Sequence, residues 1–315
     1  MKKIVFLASL AIFSAAICQA QTKENCLPLF NGKDLTNWNL QKPGAFEVVN
    51  GELITRSSGT GTDIFTSRRY SNFILELEFF LSEVGNSGVF IRQDPTVPGS
   101  GFEVQLLAPW TPWRDDLHCT GSLYGHVAVT DRPDETTGRW YKMEIKCDRN
   151  EVAVSVNGKV TTRADIDTVK TMAGKPWSGF IGFQGNHAEK EEQYAKFRNI
   201  CIRDLDAEPE YVITGFKSEN ELLRGYAMKS AVDLGAPVVS MLAAGMSDDN
   251  PMVQSLSKQA LFDIAALASD PDEPASVKNG IKVELTASLN AATNEITKDY
   301  LKWLTGMISD GKRVD

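Results

Sequence analysis

The chain has 315 residues, 42% of them hydrophobic and 23% charged, with 24 Gly and 13 Pro. That is the profile of a globular protein and excludes a disordered, collagenous or coiled-coil chain. Thirty-three Lys and Arg stand against 41 Asp and Glu, a formal charge of −8, and no Lys/Arg block exceeds two residues, so nucleic acid is not an expected partner.

Residues 1–20 read as a secretory signal. Lys2 and Lys3 form a positive start, residues 4–17 are apolar apart from Ser9 and Ser14, and Ala20 offers a small residue for cleavage before Gln21. The apolar run is too short to span a bilayer. Bulky Ile17 before Cys18 disfavours a lipoprotein signal. No later stretch approaches about 18 uninterrupted apolar residues, so no membrane span is expected. The protein is expected to be exported, either periplasmic or secreted. Beyond the signal, Cys26, Cys119, Cys147 and Cys201 remain, and an oxidising compartment permits disulfides. No CxxC spacing points to zinc. Cys26 and Cys201 flank the first domain and are the favoured pair, with buried free thiols as the alternative.

From Leu29 to Leu205 the chain reads as short strands. Phe73, Leu75, Leu77, Phe79 and Leu81 alternate with Ile74, Glu76, Glu78 and Phe80, a period of two. Further strands are expected at 45–49, 89–93, 102–107, 141–147, 152–156, 180–184 and 196–203. Asn50-Gly51, Gly85-Asn86 and Asn157-Gly158 supply turns between them. Many strands with few helical windows indicate a β-sandwich or jelly roll, placed at residues 21–206.

After Pro209 the period becomes helical. Helices are expected at 222–234, 237–244, 252–267, 275–289 and 294–308. The third starts after Asp248-Asp249-Asn250 with Pro251 at its first position. Helices joined by short polar turns fit a small all-α, HEAT-like helical-repeat domain at 207–315, whose role would be to dock a protein partner.

Alternation on the strand at 102–107 puts Phe102, Val104 and Leu106 on one face and Glu103 and Gln105 on the other. Arg92 ends the preceding strand, so Arg92, Glu103 and Gln105 are expected to form a polar cluster, with a structural Arg–Glu ion pair as the plain alternative. His187 follows a strand and the glycine turn at Gly185, where an imidazole titrates near neutral pH. His118 and His126 flank Cys119 without metal-ligand spacing. Trp110, Trp113 and Trp177 fall in loops and suit sugar stacking or core packing alike; Trp38 and Trp140 are expected in the core. No GxSxG, HExxH, Walker or dinucleotide motif occurs, nor the Glu-x-Asp-x-Glu of jelly-roll endoglucanases. An ordinary two-carboxylate glycosidase is therefore not supported.

Leu29-Phe30-Asn31-Gly32-Lys33-Asp34-Leu35-Thr36-Asn37-Trp38 resembles the opening of the 3-keto-disaccharide hydrolase family. In the family's order follow the strand from Tyr70 to Phe79, Asn86-Ser87-Gly88-Val89-Phe90-Ile91-Arg92, and residues 101–107. Thr120-Gly121-Ser122-Leu123-Tyr124 comes next, then Gly179-Phe180-Ile181-Gly182-Phe183-Gln184-Gly185 running on to Phe197-Arg198-Asn199-Ile200. The resemblance implies a concanavalin-like β-sandwich and a small carbohydrate ligand: a keto-sugar, disaccharide or glycoside. It places Arg92, Glu103, Gln105, Tyr124, Gln184 and His187 at polar motif positions; Ala108 stands where many members carry Asp.

The implied chemistry is elimination. A ketone at C3 acidifies the C2 proton, the C1 substituent leaves, and water adds to the enone. Glu103 or His187 is then the base and Arg92 or a divalent cation the enolate's partner, while Tyr124 donates or positions. No other cofactor is implied. Two other readings remain open: a non-catalytic carbohydrate-binding protein, and an interaction protein with a structural sandwich.

Overall fold

The computed structural model describes residues 26–56, 62–112, 114–186 and 192–308. The expected signal at 1–20, with Cys18, lies outside the described residues. Among those described, thirteen strands form two antiparallel sheets. The first strands are β1 (Leu27–Pro28), β2 (Trp38–Leu40), β3 (Phe46–Val49), β4 (Glu52–Thr55) and β5 (Ile64–Thr66). The middle of the sandwich comes from β6 (Phe73–Leu81), β7 (Asn86–Gln93), β8 (Phe102–Leu107) and β9 (Trp140–Asp148). It closes with β10 (Glu151–Val156), β11 (Lys159–Asp165), β12 (Phe180–Phe183) and β13 (Ala195–Asp204).

The larger sheet runs β11-β10-β9-β6-β13-β4-β3, with β1 pairing on β13; the smaller runs β2-β5-β12-β7-β8. The alternation read in β6 holds: Phe73, Leu75, Leu77, Phe79 and Leu81 are buried, while Ile74, Glu76, Glu78 and Phe80 are half-exposed on the outer face. Across the sandwich, Val89, Ile91, Val104, Leu106, Ile181 and Phe183 complete one apolar core with them. Trp38 stacks on Phe183 in this core. Trp140 does not: it lies on the outer face beside Phe80, under the Arg198 guanidinium.

Strands β2, β4 and β5 span only three or four residues, too few to show a period. In β11 the buried residues Thr161 and Thr162, beside Ala164, read as polar sequence. Their hydroxyls donate to the Gly121 carbonyl at 3.1 and 2.7 Å, so the polar atoms are satisfied inside. The same bonds tie the 120–124 segment to the larger sheet.

Cys26 and Cys201 form a disulfide with Cα atoms 5.6 Å apart, next to the β1–β13 pairing. Cys119 and Cys147 are buried free thiols, so both expectations for the cysteines are met, each by a different pair.

The chain leaves β13 through a short 3-10 turn at Leu205–Ala207 into six helices: α1 (Pro209–Thr214), α2 (Glu221–Leu234), α3 (Val239–Gly245), α4 (Pro251–Ala268), α5 (Ala275–Ala291) and α6 (Glu295–Met307). Asn220, Asn250 and Asn294 cap α2, α4 and α6 by accepting from the backbone two residues on. Their inward faces make a second core around Phe216, Leu242, Leu261, Ile264, Leu285 and Leu301. Among the described residues no single helix is long and apolar enough to cross a membrane.

Polar contacts join the two cores. The Tyr211 hydroxyl donates to Asp148 at 2.7 Å, Arg149 donates to Thr214 at 2.7 Å, and Asp206 accepts from the Asn72 amide and side chain at 3.0 and 2.8 Å. Trp177 packs on Tyr226 of α2, so this loop tryptophan belongs to the junction. The cavity there measures about 20 Å³, room for one water and too small for a sugar ring.

Candidate functional site

Register places the polar side chains of the smaller sheet. Phe90 pairs with Glu103 and Gly88 with Gln105; Gly182 pairs with both Phe90 and Phe65. The Gln184 amide donates to the Gly88 carbonyl at 2.9 Å, extending β12 by one position. Beyond β8, Val104 bridges to Leu123, the Tyr124 amide donates to the Glu103 carbonyl at 2.9 Å, and Gln105 donates to the Ser122 carbonyl at 3.1 Å. Val104 and Leu123 are buried in the core, so their neighbours point outward. The outer face therefore carries two rows. One runs Phe65, Gly182, Phe90, Glu103, Tyr124; the other Asp63, Gln184, Gly88, Gln105, Ser122.

The rows form a recessed strip: Gln105 is 2% and Ser122 0% exposed, Glu103 is partly exposed, and Tyr124 is 38% exposed. Gly88 shapes its centre. A Cβ there would lie 2.8 Å from the carboxyl carbon of Glu103. Without one, the Glu103 carboxylate lies across β7 and its Oε1 accepts from Gln184 Nε2 at 2.9 Å. At the far end, Asp63 Oδ1 accepts from the Gly185 amide at 3.0 Å. Phe65 stacks on Phe90 over Gly182 and walls the strip on its apolar side.

Burial raises the Glu103 pKa to about 7, helped by the negative charge of Asp63 and opposed by the Gln184 hydrogen bond. A carboxyl that changes charge near neutral pH exchanges protons with a substrate at little cost. The carboxamides of Gln105 and Gln184 supply neutral N–H donors, and the hydroxyls of Ser122 and Tyr124 neutral O–H donors.

Glu103, Gln105, Tyr124 and Gln184 thus come together: strand alternation gave Glu103 and Gln105 one face, and the family resemblance named Tyr124 and Gln184. Arg92 does not join them, and the expected Arg92–Glu103–Gln105 cluster is corrected. Between Phe90 and Gln93, β7 uses three steps where β12 uses two, from Gly182 to Phe180. Arg92 sits in that bulge with φ +50°, which breaks the alternation. Its side chain, 0% exposed, donates to the Ser71 carbonyl at 2.9 and 2.7 Å and to the Arg149 carbonyl at 2.9 Å, with its guanidinium over Trp177. Gly179 makes the bulge fit: a Cβ there would lie 2.6 Å from the Arg92 Cα. Arg92 is a structural cation linking the sandwich to the helical junction.

Trp110 is 54% exposed on the loop leaving β8, at the opposite end of the strand from Glu103. His187 and Trp113 lie outside the described residues. Among the described residues no group of three or more His, Cys, Asp or Glu side chains is placed to hold a metal ion. Sequence reasoning missed Asp63, Gly88 and Ser122. Gly88 and Ser122 stood in quoted motifs as backbone, and Asp63 precedes a strand of three residues.

Comparison with known families decides the affiliation. Residues 26–203 match the model of the 3-keto-alpha-glucoside-1,2-lyase-like domain. The chain belongs to this family. Its sandwich is a carbohydrate-active, glycosyl-hydrolase-like domain. A candidate glycosyl hydrolase of known structure from Parabacteroides distasonis ATCC 8503 is 29% identical, with a TM-score of 0.51, over 57% of this chain and 98% of that one. A second candidate glycosyl hydrolase from the same organism is 23% identical, with a TM-score of 0.49, over 57% of this chain and 94% of that one. Among curated proteins none matches.

Proposed function

We propose that this lyase-like domain cleaves 3-keto-glycosides by elimination across C1–C2 followed by hydration. The observation that carries the reading is Glu103, a carboxyl recessed on a sheet face, tuned to about pH 7 and held by Gln184. Glu103 takes the C2 proton, which the C3 ketone has acidified. Charge then gathers on the ketone oxygen, where the N–H groups of Gln105 and Gln184 are among the described donors. The C1–O bond breaks and the aglycone oxygen gains a proton, leaving an enone. Water adds its oxygen at C1, and Glu103 returns a proton to C2. The net reaction is hydrolysis, without an oxocarbenium ion and without a second carboxylate on the opposite face of the sugar. Tyr124, opposite Glu103 on the same face, orients the departing oxygen.

We also propose that residues 1–20 export the protein, which the Cys26–Cys201 disulfide supports. The test of function is to incubate the protein with a 3-keto-glucoside and with its unoxidised parent, with and without chelator, and to measure aglycone release. Release from the keto sugar alone is expected. Glycan binding with no release from either sugar would replace catalysis with a binding role, and loss of release with chelator would add a metal to the site.

A further inference from the structure

Tyr124 has a neighbour that the sequence set aside. The His118 ring meets the Tyr124 ring edge-on, with centroids 4.9 Å apart and planes at 71°. His118 Nδ1 lies 2.7 Å from Asp115 Oδ1, and the same carboxylate oxygen accepts from the Leu117 amide at 2.9 Å. The local backbone is fixed as well: the His118 amide donates to the Asp115 carbonyl at 3.2 Å, and Gly125 donates to Leu117 at 3.4 Å. A carboxylate on Nδ1 sets the tautomer and presents Nε2 as the exchanging nitrogen, the logic by which carboxylate–imidazole pairs move protons. An exposed ion pair of this kind contributes little to stability by itself. What distinguishes this one is its place, against the aromatic ring directly opposite Glu103 on the same sheet face.

We infer that His118, held by Asp115, is the proton donor to the departing aglycone oxygen. This rests on the elimination reading above. Protons balance over the cycle. Glu103 gains the C2 proton while His118 Nε2 gives one to the oxygen released when C1–O breaks. In hydration, water's oxygen bonds to C1 and its proton goes to His118, while Glu103, its proton by then exchanged with solvent, delivers one to C2. Both groups end as they began.

Leaving-group acidity tests the role. A nitrophenolate departs without a proton, whereas a methoxide requires one. Rates should be measured on methyl and 4-nitrophenyl 3-keto-glucosides for the wild-type protein, His118→Gln and Asp115→Asn, with melting curves to confirm folding. For His118→Gln, methyl glycoside cleavage is expected to fall by about 10²–10⁴ and nitrophenyl cleavage by no more than about fivefold. Asp115→Asn, which keeps the imidazole, is expected to show the same selectivity with a smaller loss. Equal losses on both substrates, or no loss on the methyl glycoside, would overturn the assignment and leave elimination at Glu103 standing. A wild-type protein that cleaves neither substrate would overturn the elimination reading and this role with it.

Discussion

Glu103 and Gln184 belong to strands that are not neighbours, yet Oε1 of one accepts a 2.9 Å hydrogen bond from Nε2 of the other. The carboxylate reaches across the whole width of β7, over Gly88. This diagonal fixes one oxygen of Glu103 above Gly88.

Gly88→Ala is the direct probe of that diagonal. The new methyl group must displace the carboxylate, because Cγ and Cδ of Glu103 lie only 2.8 Å from its position. Activity on a 3-keto-glucoside is expected to drop by about 10- to 100-fold, with a stability loss of about 1–3 kcal/mol for the overpacked contact. Steady-state rates and a urea melt measure the two. Unchanged rates would mean that Glu103 works from another position.

Glu103→Gln should remove activity and change how stability depends on pH. The folded-state pKa is raised to about 7, against about 4.3 in an unfolded chain. The folded protein therefore holds the proton more tightly, and the wild type loses stability as pH rises from about 4.5 through 7. Glutamine escapes that loss. The variant should match the wild type near pH 4 and exceed it above pH 7 by about 2 kcal/mol, allowing for the partial exposure of the group. Denaturant midpoints at the two pH values would reveal it; parallel curves would contradict the raised pKa.

Asp63→Asn bears on the charge behind that pKa. Removing a negative neighbour makes Glu103 easier to deprotonate, and the asparagine oxygen can still accept from the Gly185 amide. The acid limb of the kcat/KM–pH profile should move to lower pH. An unmoved limb would show that Asp63 does not act on Glu103.

Much of this strip was legible because period-two patterning places residues without knowledge of their partners. Once Phe102, Val104 and Leu106 are read as core, Glu103 and Gln105 have to face the other way, and the structure puts them there. The same inference fails at Arg92, where one extra residue in β7 inverts the pattern. An arginine at φ +50° carries no sequence signature of a bulge, unlike the Asn-Gly turns at 50 and 157. Asp63 was illegible because its strand is too short to show a period, and Gly88 because its contribution is the absence of a side chain. His118 looked inert because only metal-ligand spacing was weighed. Its partners Asp115 and Tyr124 meet through the loop's folding.

The disulfide should matter for stability and not for chemistry. Closing a loop of 175 residues is worth about 5 kcal/mol in the chain-entropy account, while measured bridges more often contribute about 2–4. Cys26→Ser is expected to lower the melting temperature markedly and to leave kcat unchanged below the melt. Cys119 and Cys147, buried and with thiols pushed toward the neutral form, should resist alkylation until the protein unfolds. Rapid modification of the native protein would contradict their placement.

The most direct measurement on the central claim is isotope incorporation at C2. Cleaving a 3-keto-glucoside in D₂O should give a released keto-glucose carrying deuterium at C2, because the proton lost to Glu103 exchanges before hydration, and Glu103→Gln should suppress both release and exchange. Released sugar with hydrogen retained at C2 would mean that the C1–O bond breaks without elimination, and Glu103 would then have some other task on this sheet face.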